Sequence, residues 1–305
     1  VQPLLPDLSI RQLAYLVAVA DEATWAAAAE SVGVSPSALS QGLAELERRR
    51  GLPLFESRGR RRVLRRSAAP VLDHARRVLA LTRDLVDWGD RVRGGRTGRV
   101  RLGLIDIAAV VHFPGVLAEF RAERPDVELT LSVAPSAELL GGLRDGELDL
   151  VVCVEPPERH DGLDVVELRR EPLAVMAPLG TTIGAPSTWG PWVTFPSNSH
   201  TRQLIVSALA RLGAGTLIAA ESHQPDVLVQ MVRLGLGWTV LPFSFASAAP
   251  SPVVMGPQLV ERVLVLARRA DSINDPAVEE LAQRLSGAAP AAPSAASPRP
   301  NRRRR

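Results

Sequence analysis

The chain has 305 residues, 36 basic and 33 acidic side chains and a formal net charge of +3. At about 150 residues per domain, that is room for roughly two domains with sizeable cores. Hydrophobic residues at 46% and charged residues at 23% exclude a disordered or fibrous class, and one cysteine excludes a disulfide framework or thiolate zinc cluster. That cysteine usage suits a reducing compartment. No window reaches the ~18 uninterrupted apolar residues of a membrane-spanning helix. The first residues, Val1–Asp7, lack a basic-then-apolar export pattern. The expectation is a cytoplasmic protein with no membrane partner.

The charge is uneven. Residues 1–98 hold 16 Arg against 11 acids, and residues 99–300 hold 16 against 22. No lysine occurs, so each of these cations is a planar fork suited to phosphate. Between 48 and 66 there are nine Arg and one acid, Glu56. Such a block fits a solvated loop or a basic module for nucleic acid or another anionic surface.

Ser9 is placed to cap a first helix with Leu13, Leu16, Val17 and Ala20 as its apolar stripe. Thr24 caps a second, with Trp25, Ala28 and Ala29 inward and Gly33 after it. Ser35 caps a third, with Pro36 at its first turn and Leu39, Leu43 and Leu46 on its buried side. Two helices about a tight turn, the second opening on Ser37, Ser40 and Gln41, have helix-turn-helix geometry. Those polar residues would reach base edges in a major groove. Leu54-Phe55 and Val63-Leu64 flank the Arg-rich segment like the strands of a wing. Arg58, Arg60, Arg61 and Arg62 are then phosphate or minor-groove candidates. A plain three-helix bundle with solvated polar faces explains the Leu spacing equally well, but leaves the Arg block without a reason. The DNA-binding segment is read as 8–66, with Ser35, Ser37, Ser40, Gln41, Arg58, Arg60, Arg61 and Arg62 as its candidate residues.

Residues 67–93 read as a linker helix, with Ser67 as a candidate cap. Val71, Val78, Leu85 and Val92 recur every seven residues, with Leu81 and Trp88 nearby. That repeat favours pairing with a second helix, hence a homodimer or homotetramer; packing on the chain's own body is the alternative. Ala75, Thr82 and Gly89 make the seam small. Gly94-Gly95 and Gly98 form a joint. Strands and helices then alternate: strands at Val100–Leu104, Val127–Val133 and Leu148–Val154, helices at Phe113–Glu123 and Ala137–Arg144. A second set, within about 173–255, has strands at Leu173–Ala177, Trp192–Thr194, Leu217–Ala220 and Trp238–Leu241 and helices from Thr201 and Asp226. Arg262–Leu266 and a helix over Pro276–Leu285 return to the first set. The alternation argues for parallel sheet covered by helices. Residues 287–305, rich in Ala, Pro and Ser and ending in four Arg, read as a disordered tail.

Ala38-Leu39-Ser40, Leu46-Glu47, Gly51-Leu52 and Leu54-Phe55-Glu56 resemble the core of LysR-type transcriptional regulators. So do the segment Gly141 to Leu150 and the segment Leu234 to Pro242, in the same order. The resemblance covers about residues 8–286. It implies a winged helix-turn-helix with a long linker helix, then a two-lobed α/β domain like a periplasmic binding protein (99–286). Its implied role is DNA binding at an operator, controlled by a small effector. Where the family usually has Gln-Pro this chain has Pro36-Ser37, and Gly42 replaces a longer polar residue. Arg65 or Arg66 stands where a Thr usually opens the linker helix.

Two such lobes bind ligands in the cleft beyond their strands. The loop Ile105 to Ala108 offers Asp106 and Ile107, the latter near where the family often has Ser or Thr. Ser136 and Glu155 are further first-lobe positions. Ser197, Asn198, Ser199, His200, Thr201 and Arg202 enter a helix N-terminus, which favours an anion. Ser222, His223 and Gln224 precede another. Each hydroxyl or amide has helix capping as its alternative, and each His a solvated loop. An anion site on one lobe and Asp106 or Glu155 on the other would suit an anionic or zwitterionic metabolite. The five His show no metal spacing, Cys153 lies in an apolar run, and no nucleophile elbow, P-loop or dinucleotide turn occurs. The expectation is no enzyme, metal or cofactor. A solute-binding protein without a DNA role is the alternative.

Overall fold

The computed structural model describes residues 8–58, 61–94, 98–157, 162–243, 253–273 and 275–288. Arg60, the tail beyond Ala288, and the side chains of Arg58, Arg61 and Val92 lie outside the described residues. The chain divides into two compact units, the first holding the residues up to Arg96 and the second most of the remainder.

The first unit opens with α1 (Ile10–Asp21), α2 (Trp25–Ser31) and α3 (Pro36–Arg50). The hydroxyls of Thr24 and Ser35 accept from the N–H of Ala27 and Ala38, so two caps expected from sequence form; Ser9 makes no such bond. Gly33, at φ 67°, turns the chain between α2 and α3. Leu13, Leu16, Leu39, Leu43 and Leu46 meet in one core with Tyr15, Leu54 and Phe55. Gly42 has a steric reason: a Cβ there would lie 2.8 Å from the Tyr15 ring. The ~0.5–1 kcal/mol that glycine costs a helix interior is offset by room for that ring, and Gln12 Nε2 donates to the Gly42 carbonyl at 3.2 Å.

Strands β1 (Phe55–Arg58) and β2 (Arg61–Leu64) pair antiparallel as the wing. A 3-10 turn, Arg66–Ala68, leads into α4 (Ala69–Gly94), so Ser67 lies within the turn ahead of the helix. The seven-residue repeat of α4 divides in two. Val71, Leu72, Ala75, Val78 and Leu79 pack on the first unit's own core, and Ala75 is fully buried. Leu81, Leu85, Val86 and Trp88 stay exposed, Leu85 by 58%.

In the second unit, β3 (Arg99–Leu104) lies between β4 (Glu128–Val133) and β5 (Leu150–Val154), all parallel. A π-helical turn, Ala108–His112, and α5 (Pro114–Glu123) join β3 to β4; α6 (Ser136–Arg144) follows. The chain then crosses to the second lobe on β6 (Leu163–Ala177) and returns on β10 (Val254–Arg269), paired antiparallel over most of their lengths. The sheet order is β4-β3-β5-β10-β6-β9, with β9 (Thr239–Pro242) antiparallel on β6. The expected parallel sheet is therefore confined to β4-β3-β5 and to β7 (Trp192–Thr194) with β8 (Ile218–Glu221). Sequence shows only the apolar ends of β6 and β10. In the first lobe β6 is an edge strand with Asp164 to Glu167 exposed, so nothing there selects an apolar run. Helices α7 (His200–Arg211) and α8 (Pro225–Arg233) belong to the second lobe, and α9 (Pro276–Gly287) follows β10. The second-lobe core contains Trp189, Trp192, Phe195 and Trp238.

Candidate functional sites

The first site is the exposed side of α3. Ser37 and Gln41 are exposed and Ser40 is half-buried, so the helix opens on a short, uncharged polar surface. Ser35 is occupied as a cap, with its Oγ 3.2 Å from the Ala38 nitrogen. The Arg block is partly matched inside the unit. Arg48 holds Glu45 at 2.6 Å and Arg49 pairs with the same carboxylate; these contacts hold the Glu45 carboxyl below its usual range. Arg62, expected at the wing tip, pairs instead with Glu47 and covers the rings of Trp25 and Phe55. Arg65 Nε donates to the Phe55 carbonyl at 3.0 Å. Glu45 and Glu47 lie just ahead of the block, so a charge count confined to it omits them.

The second site is a cleft of about 230 Å³ in the second unit. At ~30 Å³ per water volume, it accommodates a small metabolite. Asp106, Ile107 and Ser136 line it from the first lobe, and Ser199, Thr201, His223 and Gln224 from the second. Ser197, Asn198, His200, Arg202, Ser222 and Glu155 are not among its lining residues. Local hydrogen bonds take up Ser222 and Arg202, while Ser199 both caps α7 and lines the cleft. Ser222 Oγ accepts from Gln224 N–H at 3.1 Å, and Ser199 Oγ from Arg202 N–H at 3.4 Å. Arg202 turns to the Phe195 carbonyl at 2.6 Å and to Glu221 at 2.7 Å. Ser136 Oγ accepts from Val154 N–H at 3.2 Å, which leaves its proton for another acceptor.

The cation that lines the cleft is Arg262 of β10, which sequence reasoning missed. It is 5% exposed, and it faces Glu171 of β6, 4% exposed, in the register of the two crossing strands. Its Nε donates to Glu171 Oε2 at 2.8 Å and its second terminal nitrogen lies 2.7 Å from the same oxygen. The other terminal nitrogen donates to Thr201 Oγ1 at 2.9 Å. His112, ending the π-helical turn, completes the cluster, with Nε2 2.9 Å from Glu171 Oε1 and Nδ1 3.1 Å from an Arg169 nitrogen. A guanidinium only donates, so Nδ1 is the acceptor and Nε2–H donates to Glu171. Donation therefore runs from Arg262 into Thr201 Oγ1, and the Thr201 proton is left for a group in the cleft.

Burial raises the Glu171 carboxyl, but the His112 hydrogen bond and the Arg262 charge outweigh it, and the net shift is downward. Asp106 moves the other way: burial lifts its carboxyl, with its own backbone N–H, Arg262 and His223 pulling against it. The cleft thus sets an acidic group on the first lobe against donors at the start of α7. The signal for the missed pair was weak in sequence, because each is only the last of several charges before an apolar run: Glu171 follows Arg169-Arg170 and Arg262 follows Glu261.

Comparison with known proteins adds sequence support. Residues 10–69 match the bacterial regulatory helix-turn-helix protein, lysR family, and residues 93–290 match the LysR substrate binding domain. A relative from Shigella flexneri, "Uncharacterized HTH-type transcriptional regulator YfeR", is 29% identical over 90% of this chain and 92% of its own. A full-length OxyR variant from Pseudomonas aeruginosa has a TM-score of 0.59 at 23% identity, over 91% of this chain and 94% of that one. Full-length CbnR complexed with its target DNA has a TM-score of 0.56 at 20% identity, over 92% of this chain and 100% of that one. At those identities the structures support the fold.

Proposed function

Since this chain belongs to the LysR family of bacterial regulators, we propose that it acts in the cytoplasm as an effector-responsive regulator of transcription, not as an enzyme. The observation that carries the reading is the order of its parts: a winged helix-turn-helix, a long helix and a two-lobed α/β domain in one chain. In this reading Ser37, Ser40 and Gln41 meet base edges, and Arg58, Arg60 and Arg61 meet phosphates; Ser35 holds the helix start. The exposed Leu81, Leu85 and Trp88 of α4 are its dimer seam, which would set two recognition helices on a partly palindromic operator.

The effector lies in the cleft. Its anionic end meets Thr201, Arg262 and the N-terminus of α7, and a donor or cationic end meets Asp106, so a small zwitterion or carboxylate fits. Arg262 thereby takes the part that sequence assigned to Arg202.

The test is to pull down sequenced genomic fragments with the full chain. Enrichment of a defined site gives the operator, and the neighbouring genes indicate the effector to titrate. No enriched site would favour a solute-binding protein without a DNA role.

A further inference from the structure

The wing is fastened to the recognition helix through one carboxylate. Glu47, in the last turn of α3, accepts the backbone N–H groups of Leu54 and Phe55 on Oε1 at 2.8 and 3.1 Å. Its Oε2 pairs with Arg62 of β2. The Arg62 guanidinium lies 4.9 Å from the Phe55 ring centroid and 5.4 Å from that of Trp25. Trp25 Nε1 donates to the Arg62 carbonyl at 3.2 Å, and the two rings pack 5.2 Å apart. Residues from α2, α3, β1 and β2 therefore converge on one side chain. Reaching a phosphate would cost Arg62 its carboxylate and both ring faces, and would leave Glu47 as an anion close to DNA.

We propose that Arg62 is a positioning residue for DNA recognition. It holds the wing against α3 and fixes where the wing-tip cations meet the backbone, without touching a phosphate. This rests on the helix-turn-helix reading above, and the two can fail separately.

The experiment measures binding of the full chain to its recovered operator and to a random duplex across a salt series. Arg60→Ala tests the wing itself. A phosphate contact there weakens both duplexes alike and lowers the salt slope by about 1. Arg62→Ala is expected to weaken operator binding by about 5–20-fold, more than random-duplex binding, with the salt slope unchanged. Arg62→Lys keeps the charge but not the planar face over two rings, and is expected to track Arg62→Ala.

Glu47→Gln supplies a test of sign. Gln still accepts the two N–H groups but loses the ion pair, so a positioning role predicts weaker operator binding. A phosphate-seeking Arg62 restrained by Glu47 predicts tighter binding, because an anion is removed and a cation released. A slope lowered by about 1 in Arg62→Ala, or tightening in Glu47→Gln, overturns the proposal. If thermal melts show that Arg62→Ala does not fold, the Glu47→Gln sign decides. An unchanged slope in Arg60→Ala removes Arg60 from the phosphate contacts and leaves them to Arg58 and Arg61, with the Arg62 comparison still deciding the proposal.

Discussion

Replacing Glu171 with Gln removes one charge from the cluster that joins the crossing strands, with little change of shape. In the parent, Glu171 accepts from His112 and Arg262, and both side chains of the Glu171–Arg262 pair are within 4–6% exposure. Gln cannot serve both partners. With its oxygen toward His112, its amide donors face the Arg262 donors; flipped, they face the Nε2–H of His112. Arg262 keeps its charge in a buried site, with the half-buried Asp106 left to act on it. Removing one partner of a buried pair costs about 3–5 kcal/mol. For a unit of ~150–250 residues, each kcal/mol shifts Tm by about 2–4 °C, giving an expected fall of about 6–20 °C. Urea unfolding of the full chain, followed by tryptophan fluorescence, reads the loss, because Trp189 and Trp192 both pack on Trp238 in the second lobe. Glu171→Met combined with Arg262→Met is expected to recover most of it, since an apolar pair carries no desolvation cost. A loss below about 1 kcal/mol for Glu171→Gln, or no recovery in the double variant, would refute the reasoning.

Four further outcomes are expected. Gly42→Ala gains helix propensity but drives a methyl into the Tyr15 ring, so it destabilises the first unit by about 1–3 kcal/mol and becomes favourable beside Tyr15→Ala; thermal melts give both signs. Asp106 has a raised carboxyl, so its contribution to stability is present in acid and lost as pH rises through the folded value; Asp106→Asn should stabilise the effector-free chain in urea unfolding near neutral pH while weakening effector binding by calorimetry. Glu171 has the opposite sign, its stabilisation being lost as pH falls through a value below the ordinary carboxylate range, so Glu171→Gln should flatten that limb of an acid titration. Cys153 is buried and pushed up to about 12, so peroxide should leave DNA binding unchanged. A peroxide response abolished by Cys153→Ala would contradict this.

Local chemistry was legible in sequence wherever a short segment determines its own structure. Thr24 and Ser35 cap the helices expected of them, and the spacing of Leu39, Leu43 and Leu46 marks the buried side of α3. The wing followed from two apolar pairs around a charged stretch. What the sequence concealed depends on partners far along the chain. Glu171 and Arg262 are 91 residues apart, and a charged residue in a strand reads as surface until its opposite number is placed. Arg202 looked like the anion holder because it follows a polar loop at a helix start; Phe195 and Glu221 take it up. The α4 repeat was visible, but its division between the unit's own core and an exposed half depends on where α1 ends. Tyr15 escaped notice because the space it needs is made by Gly42 on another helix.

The crossing-strand arrangement also governs how the chain must be made. The second lobe is an insertion, and the first lobe's sheet is completed only when β10 pairs with β5, about a hundred residues after β5 is synthesised. At ~5–20 residues per second, the growing chain waits roughly 5–20 s with that edge unpaired. Strand β5 is buried at every position in the finished protein, so through that interval it offers a sticky apolar template to any neighbouring nascent chain. The order of the strands thus makes closure of that edge wait until the last residues of β10 have been made.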